Sequence, residues 1–160
     1  MKRKIARTGL VIIFAAAVVA SMAAPAQADD HHHQCSLAGA AGNWGFTDNG
    51  TVIGVGPRTA VGILTLDASG NVLNGKATSS LNGSIADEAF SGTYTVNPDC
   101  TGTFALSVFD LSGTLLFTGT LNLAWDDNMR ELRFIFTSVV PPNGPPLAIA
   151  IAGDAKKMVP

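Results

Sequence analysis

From residue 42 onward, short runs rich in Thr, Val, Ile, Leu and Phe alternate with clusters of Gly, Asn, Asp and Ser at regular spacing. Antiparallel strands joined by tight turns produce that pattern. It predicts eight strands, near 43–53, 60–67, 71–80, 86–96, 101–109, 114–125, 130–138 and 147–155. Successive side chains of a strand point to opposite faces, so residues two apart share a face. Phe90, Tyr94 and Val96 fall together in this way, as do Phe104, Leu106 and Val108. Phe117, Leu121, Leu123 and Trp125 line the sixth strand, and Leu132, Phe134 and Phe136 the seventh. Opposite them stand Thr118, Thr120, Asn122, Arg133 and Thr137, giving one apolar and one polar face. The last run, Leu147–Ala152, is apolar on both faces and small on one, which predicts that something covers it.

The segments between the runs carry turn chemistry. Ala68-Ser69-Gly70-Asn71 and Leu111-Ser112-Gly113 supply the glycines of tight hairpins, and Asn97-Pro98-Asp99-Cys100 and Asp126-Asp127-Asn128 are turns of the same kind. Pro141-Pro142-Asn143-Gly144-Pro145-Pro146 cannot feed a sheet ladder and predicts a stiff loop capping one end. Eight consecutive strands with short connections and one apolar face are most economically arranged as a single eight-stranded antiparallel up-and-down barrel, which leaves no open edge. A two-sheet sandwich is the alternative. The fold class is therefore all-β.

Composition changes the picture at the N-terminus. Lys2, Arg3, Lys4 and Arg7 precede an apolar stretch from Gly9 to Ala20 and then small residues, the order of a cleaved signal peptide. Cleavage after Ala28 assigns 1–28 to the signal peptide, 29–41 to an N-terminal tail and 42–160 to the barrel domain. It leaves six basic residues against twelve acidic ones, a net charge of −6. An acidic domain without basic clusters repels phosphate backbones, so nucleic acid is not an expected partner. The apolar stretch, about 15 residues, falls short of the roughly 20 that span a bilayer. No membrane insertion is expected after cleavage, and the protein is expected in the periplasm or medium. In such an oxidising compartment Cys35 and Cys100 are expected to pair.

Gly42-Asn43-Trp44 resembles the Gly-x-Trp signature that opens the first strand in lipocalins and other calycins. That resemblance implies a Trp closing the barrel bottom beneath a late-strand Arg, for which Arg133 is the candidate. Gly42-Asn43-Trp44-Gly45-Phe46, Gly62-Ile63-Leu64-Thr65-Leu66-Asp67 and Gly92–Thr103 together resemble a group of uncharacterised secreted bacterial proteins, small barrels similar in architecture to calycins and to allene oxide cyclase. The resemblance implies an architecture and no activity.

Chemistry-bearing residues are sparse. The histidines are confined to His31, His32 and His33, outside every predicted strand, so no His-dependent triad belongs to the barrel and no catalytic residue is assigned. Asp87-Glu88 and Asp126-Asp127 read as solvated hairpin ends. Cleavage after Ala28 would make Asp29 the N-terminus with His31 third, so that Asp29, Asp30 and His31 outline a four-nitrogen site for Cu(II) or Ni(II); a solvated tail is the plainer reading. No cofactor is expected. Phe90, Tyr94, Phe117, Trp125, Phe134 and Phe136 could line a cavity for a small apolar molecule, with Tyr94 or Asn122 orienting it; the plainer reading is that they fill the barrel, since aromatics on the inward face of a small barrel are more often core than pocket. Three readings remain open: a non-enzymatic binder, a cyclase or isomerase, and a structural or surface module.

Overall fold

The computed structural model describes residues 35–126 and 128–158. The proposed leader and the Asp29, Asp30 and His31 triplet lie outside the described residues. Eight strands follow one another: β1 Gly42–Val52, β2 Gly56–Leu66, β3 Asn71–Leu81, β4 Ser84–Val96, β5 Thr101–Asp110, β6 Leu115–Trp125, β7 Glu131–Val140 and β8 Ile149–Lys157. Each pairs antiparallel with its neighbour and β8 returns to β1, closing an up-and-down barrel. The all-β, eight-stranded architecture that the alternation predicts is the one observed. Ahead of β1 lies a single helical turn, α1 Leu37–Ala40, where the sequence suggested only a tail. Ser36 caps it, its hydroxyl accepting the Gly39 N–H at 3.1 Å.

Four hairpins share one device. The carbonyl of Asp67, Asn97, Asp110 or Asp126 accepts the N–H three residues on, at 3.2, 3.0, 3.0 and 3.0 Å respectively. The donor residue, Gly70, Cys100, Gly113 or Met129, sits in the left-handed region that lets the chain rejoin the ladder. The β3–β4 connection is tighter, an Asn82-Gly83 pair with both φ positive, the signature of a two-residue hairpin. β2 starts four residues ahead of the expected 60 because the β1–β2 turn is also short, Val55 N–H reaching Val52 O at 3.0 Å.

Inward positions follow the alternation until bulges shift it. In β7, Leu132 and Phe134 are buried and Phe136 half-buried on the inner face. Thr137 is then an extra residue between the pairs Leu121–Phe136 and Thr120–Ser138, so that Val139 takes the next inward place. Three phenylalanines lie directly across the ladder from a glycine: Phe46 from Gly62, Phe90 from Gly75, Phe134 from Gly153. A methyl group at those glycines would meet the ring at 2.6, 2.4 and 2.5 Å, so only bare backbone admits the ring. The outer face carries cross-strand hydroxyl pairs such as Thr95–Thr103 and Thr120–Thr137, each at 2.9 Å, and also exposes Val61, Ile63, Leu73, Ile85 and Ile135. The cover expected over the last strand is not found among the described residues. β8 is paired on both edges and exposes Ala150 and Ala152, small methyl groups, to solvent.

Candidate functional site

The two ends of the barrel differ. Turns β2–β3, β4–β5 and β6–β7 surround the closed end, where α1 lies and where the Cys35–Cys100 disulfide ties the chain before α1 to the β4–β5 turn. Trp44 is fully buried there and its indole N–H donates to Ala40 O at 2.9 Å. The cation above its ring is Lys157, 5.5 Å from the ring centroid, with Nζ donating to Gly39 O at 2.6 Å. Arg133, the expected partner, is exposed on the outer face of β7, because it alternates with the inward Leu132 and Phe134. Burial pushes the Lys157 ammonium below its ordinary value, and Arg130 nearby adds to the effect.

Tyr94 and Trp125 belong to this end as well, 6.5 Å apart between ring centroids. The Tyr94 hydroxyl lies 2.6 Å from Asp67 O and 3.1 Å from Leu37 O, so its polar handle secures the β2–β3 turn and α1 rather than reaching into a cavity. Burial pushes its phenol up to about 12, with the Asp67 carboxylate acting in the same direction. Trp125 Nε1 is buried and has no hydrogen-bond partner among the described residues.

Above this floor the barrel is nearly filled by rings. Phe46, Phe90, Phe104, Phe117, Phe134 and Phe136 surround a void of about 50 Å³. They meet edge to face, at 5.8 Å for Phe46–Phe90, 6.4 Å for Phe46–Phe134 and 6.2 Å for Phe134–Phe136. Toward the open end the interior widens into a chamber of about 300 Å³ with Val52, Leu81, Leu116, Val139 and Ile151 in its wall. Arg58, Glu88, Phe117 and Phe136 border both spaces and form the neck between them.

A charged network crosses that neck. Arg58 Nη1 donates to Asp48 Oδ1 at 2.5 Å, and Nη2 to Glu88 Oε2 at 3.3 Å. Ser79 Oγ donates to Glu88 Oε1 at 2.7 Å. Asp48 is 2 % exposed and Glu88 8 %, so these are buried charges, and burial of such groups is tolerated only when they are paired. Asp48 Oδ2 has no hydrogen-bond partner among the described residues. Two carboxylates against one guanidinium leave the neck with a net charge of one negative unit.

Of the residues singled out from sequence, Phe90, Phe117, Phe134 and Phe136 line the cavity, Tyr94 and Trp125 are buried in the floor below it, and Asn122 is exposed on the outer face. Asn122 sits between the inward Leu121 and Leu123, so the pleat itself turns it outward. Glu88 corrects the reading of Asp87-Glu88 as a solvated hairpin end. Asp87 faces out and accepts from Thr78 at 2.7 Å, whereas Glu88 faces in. Most of the network was legible, since Asp48 shares parity with Trp44 and Phe46, Glu88 with Phe90 and Ser79 with Ala77, whereas Arg58 lies ahead of the strand expected at 60–67.

No family model matches the chain, and no curated protein does. Among solved structures it is similar to a redesigned β-barrel, mFAP1, bound to DFHBI, at 14% identity, covering 76% of this chain and 98% of that one with a TM-score of 0.52. The S-type phycobiliprotein lyase CPES from Guillardia theta matches at 9% identity over 81% of this chain and 96% of its own, TM-score 0.45. Rv2717c from M. tuberculosis matches at 15% over 77% and 95%, TM-score 0.37. The first likeness establishes a shared small-barrel fold.

Proposed function

We propose that the protein is an exported carrier that holds one compact, largely apolar molecule in the open end of its barrel without transforming it. The observation that carries this reading is the chamber of about 300 Å³ with an apolar wall and a polar neck. Its size is at the lower bound for small-molecule pockets, which run from about 300 to 1,000 Å³ and combine apolar walls with a few placed polar groups. The neighbour mFAP1 holds DFHBI in a barrel of this size class, which is compatible with the reading. Export is supported by the leader-like first 28 residues and by the disulfide, a bond that persists in oxidising compartments. A calycin-like assignment draws support from the buried Trp44 of Gly42-Asn43-Trp44 beneath a last-strand cation.

The test is stoichiometric binding of the neutral fluorophore N-phenyl-1-naphthylamine to folded protein. Leu116 lines the chamber and is only half-buried, so Leu116→Trp fills space without displacing core. Binding at one site, weakened about tenfold or more by Leu116→Trp with thermal stability retained, is the expected result. Absence of saturable binding would leave the barrel a structural module.

The second reading, a cyclase or isomerase, has Asp48 and Glu88 in its favour, carboxylates bordering the cavity. Both are engaged by Arg58, which favours a holding role over proton transfer. Recovery of a bound compound chemically unchanged after prolonged incubation separates the two.

A further inference from the structure

We infer that the ligand of this site is an amphipathic amine, an aromatic or aliphatic body in the outer chamber with its ammonium head turned inward to the Asp48–Arg58–Glu88 neck. The inference rests on the carrier reading and specifies its ligand class.

The charge balance of the neck is the first reason. An arginine in an apolar barrel would ordinarily offer its fork to a carboxylate or phosphate. Here Nη1 is taken by Asp48 and Nη2 by Glu88, so the fork is occupied from both sides and the surplus charge is negative. An anionic head entering the neck meets two carboxylates, whereas an ammonium finds Asp48 Oδ2, an acceptor with no partner among the described residues.

The surroundings favour the same sign. The void just below the neck is walled by phenylalanine rings, whose faces attract a cation. Asp87 and Asp110 lie toward the open end, where Arg58 is the basic residue at the chamber, whereas the closed end mixes both signs, with Asp67, Asp99, Asp126, Glu131 and Asp154 beside Arg130, Arg133, Lys156 and Lys157. The charge of that arginine is already matched by Asp48 and Glu88. An acidic mouth steers cations inward and raises their association rate. The chamber of about 300 Å³ sets the body to roughly the size of a fused two-ring system.

Three probes with one body decide the matter by isothermal titration calorimetry: 1-naphthylmethylammonium, 1-naphthalenemethanol and 1-naphthoate. The cation is expected to bind about tenfold tighter than the alcohol and the carboxylate more weakly still, with the cation's advantage shrinking as salt is raised. Glu88→Gln removes the surplus charge and should bring cation and alcohol within about threefold of each other. Should Glu88→Gln fail to fold, Ser84→Lys serves, because Ser84 is exposed at the chamber wall and takes no part in the network. It should weaken the cation and strengthen the carboxylate. Equal affinity for all three probes, or tightest binding of the carboxylate, overturns the ligand class and leaves the carrier reading standing. Failure of the neutral alcohol together with the other two overturns both.

Discussion

Two tryptophans at the closed end differ in one hydrogen bond, and that difference is measurable. Trp44 donates to Ala40 O, while the buried Trp125 Nε1 has no acceptor among the described residues. Replacing Trp44 by Phe strands a carbonyl, whereas replacing Trp125 by Phe removes an unsatisfied donor. Trp44→Phe should therefore cost about 1–3 kcal/mol more than Trp125→Phe in urea unfolding. Tyr94, the chain's one tyrosine, gives an equally clean signal. Tyrosinate absorbance should appear with a midpoint near 12 in the native protein and near the ordinary value of about 10 when unfolded. Its raised folded value means that the stability it contributes is complete below about 10 and is lost as pH climbs through 12. Neither role was legible from composition, because both depend on which backbone carbonyl lies within reach. What the sequence did carry is the side of the sheet on which each ring falls, and in that respect Asn122 and Glu88 were predictable from parity alone.

At the level of the element, the carboxylates of three hairpin turns, Asp67, Asp99 and Asp110, make an acid-sensitive prediction. The Asp110 carboxyl is held below its usual range by the Ser112 hydroxyl first and by backbone N–H groups. Asp67 is lowered chiefly by the Asn71 side chain, and Asp99 by the Thr101 hydroxyl. A depressed folded value contributes stability that is present above the ordinary carboxylate range of about 3.9 and lost as pH falls below it. The urea midpoint should thus hold steady from neutral pH to about 4 and then drop; a midpoint unchanged to lower pH would remove the turns from the account. The turns were readable because Asp, Asn and Gly at fixed offsets have few other uses. The bulge at Thr137 was not, since no residue there demands left-handed backbone and only pairing with β6 places it. The ring-on-glycine pairs were likewise hidden, because the partners lie on different strands. Phe134 shows their consequence: with Gly153 beneath it and a void of only about 50 Å³ beside it, Phe134→Trp should overpack the interior and cost about 1–3 kcal/mol of stability.

For the whole molecule, closure is achieved twice, by a covalent bond and by a seam. The disulfide spans 65 residues, and its reduction should lower stability by about 4 kcal/mol in the chain-entropy account, read as a fall in the thermal midpoint on adding reductant. The seam is the ladder between β1 and β8, fastened at its foot by Lys157 on Gly39 O, 118 positions apart in sequence. A ribosome releases β1 first and β8 last, so for the length of a synthesis cycle the first strand presents a bare flank with nothing of its own to pair with. Any shortened product lacking the residues beyond 148 keeps two raw margins, on β1 and on β7, and will seek them in other copies of itself. Premature termination near the end of the message therefore yields aggregating material rather than a weakened barrel.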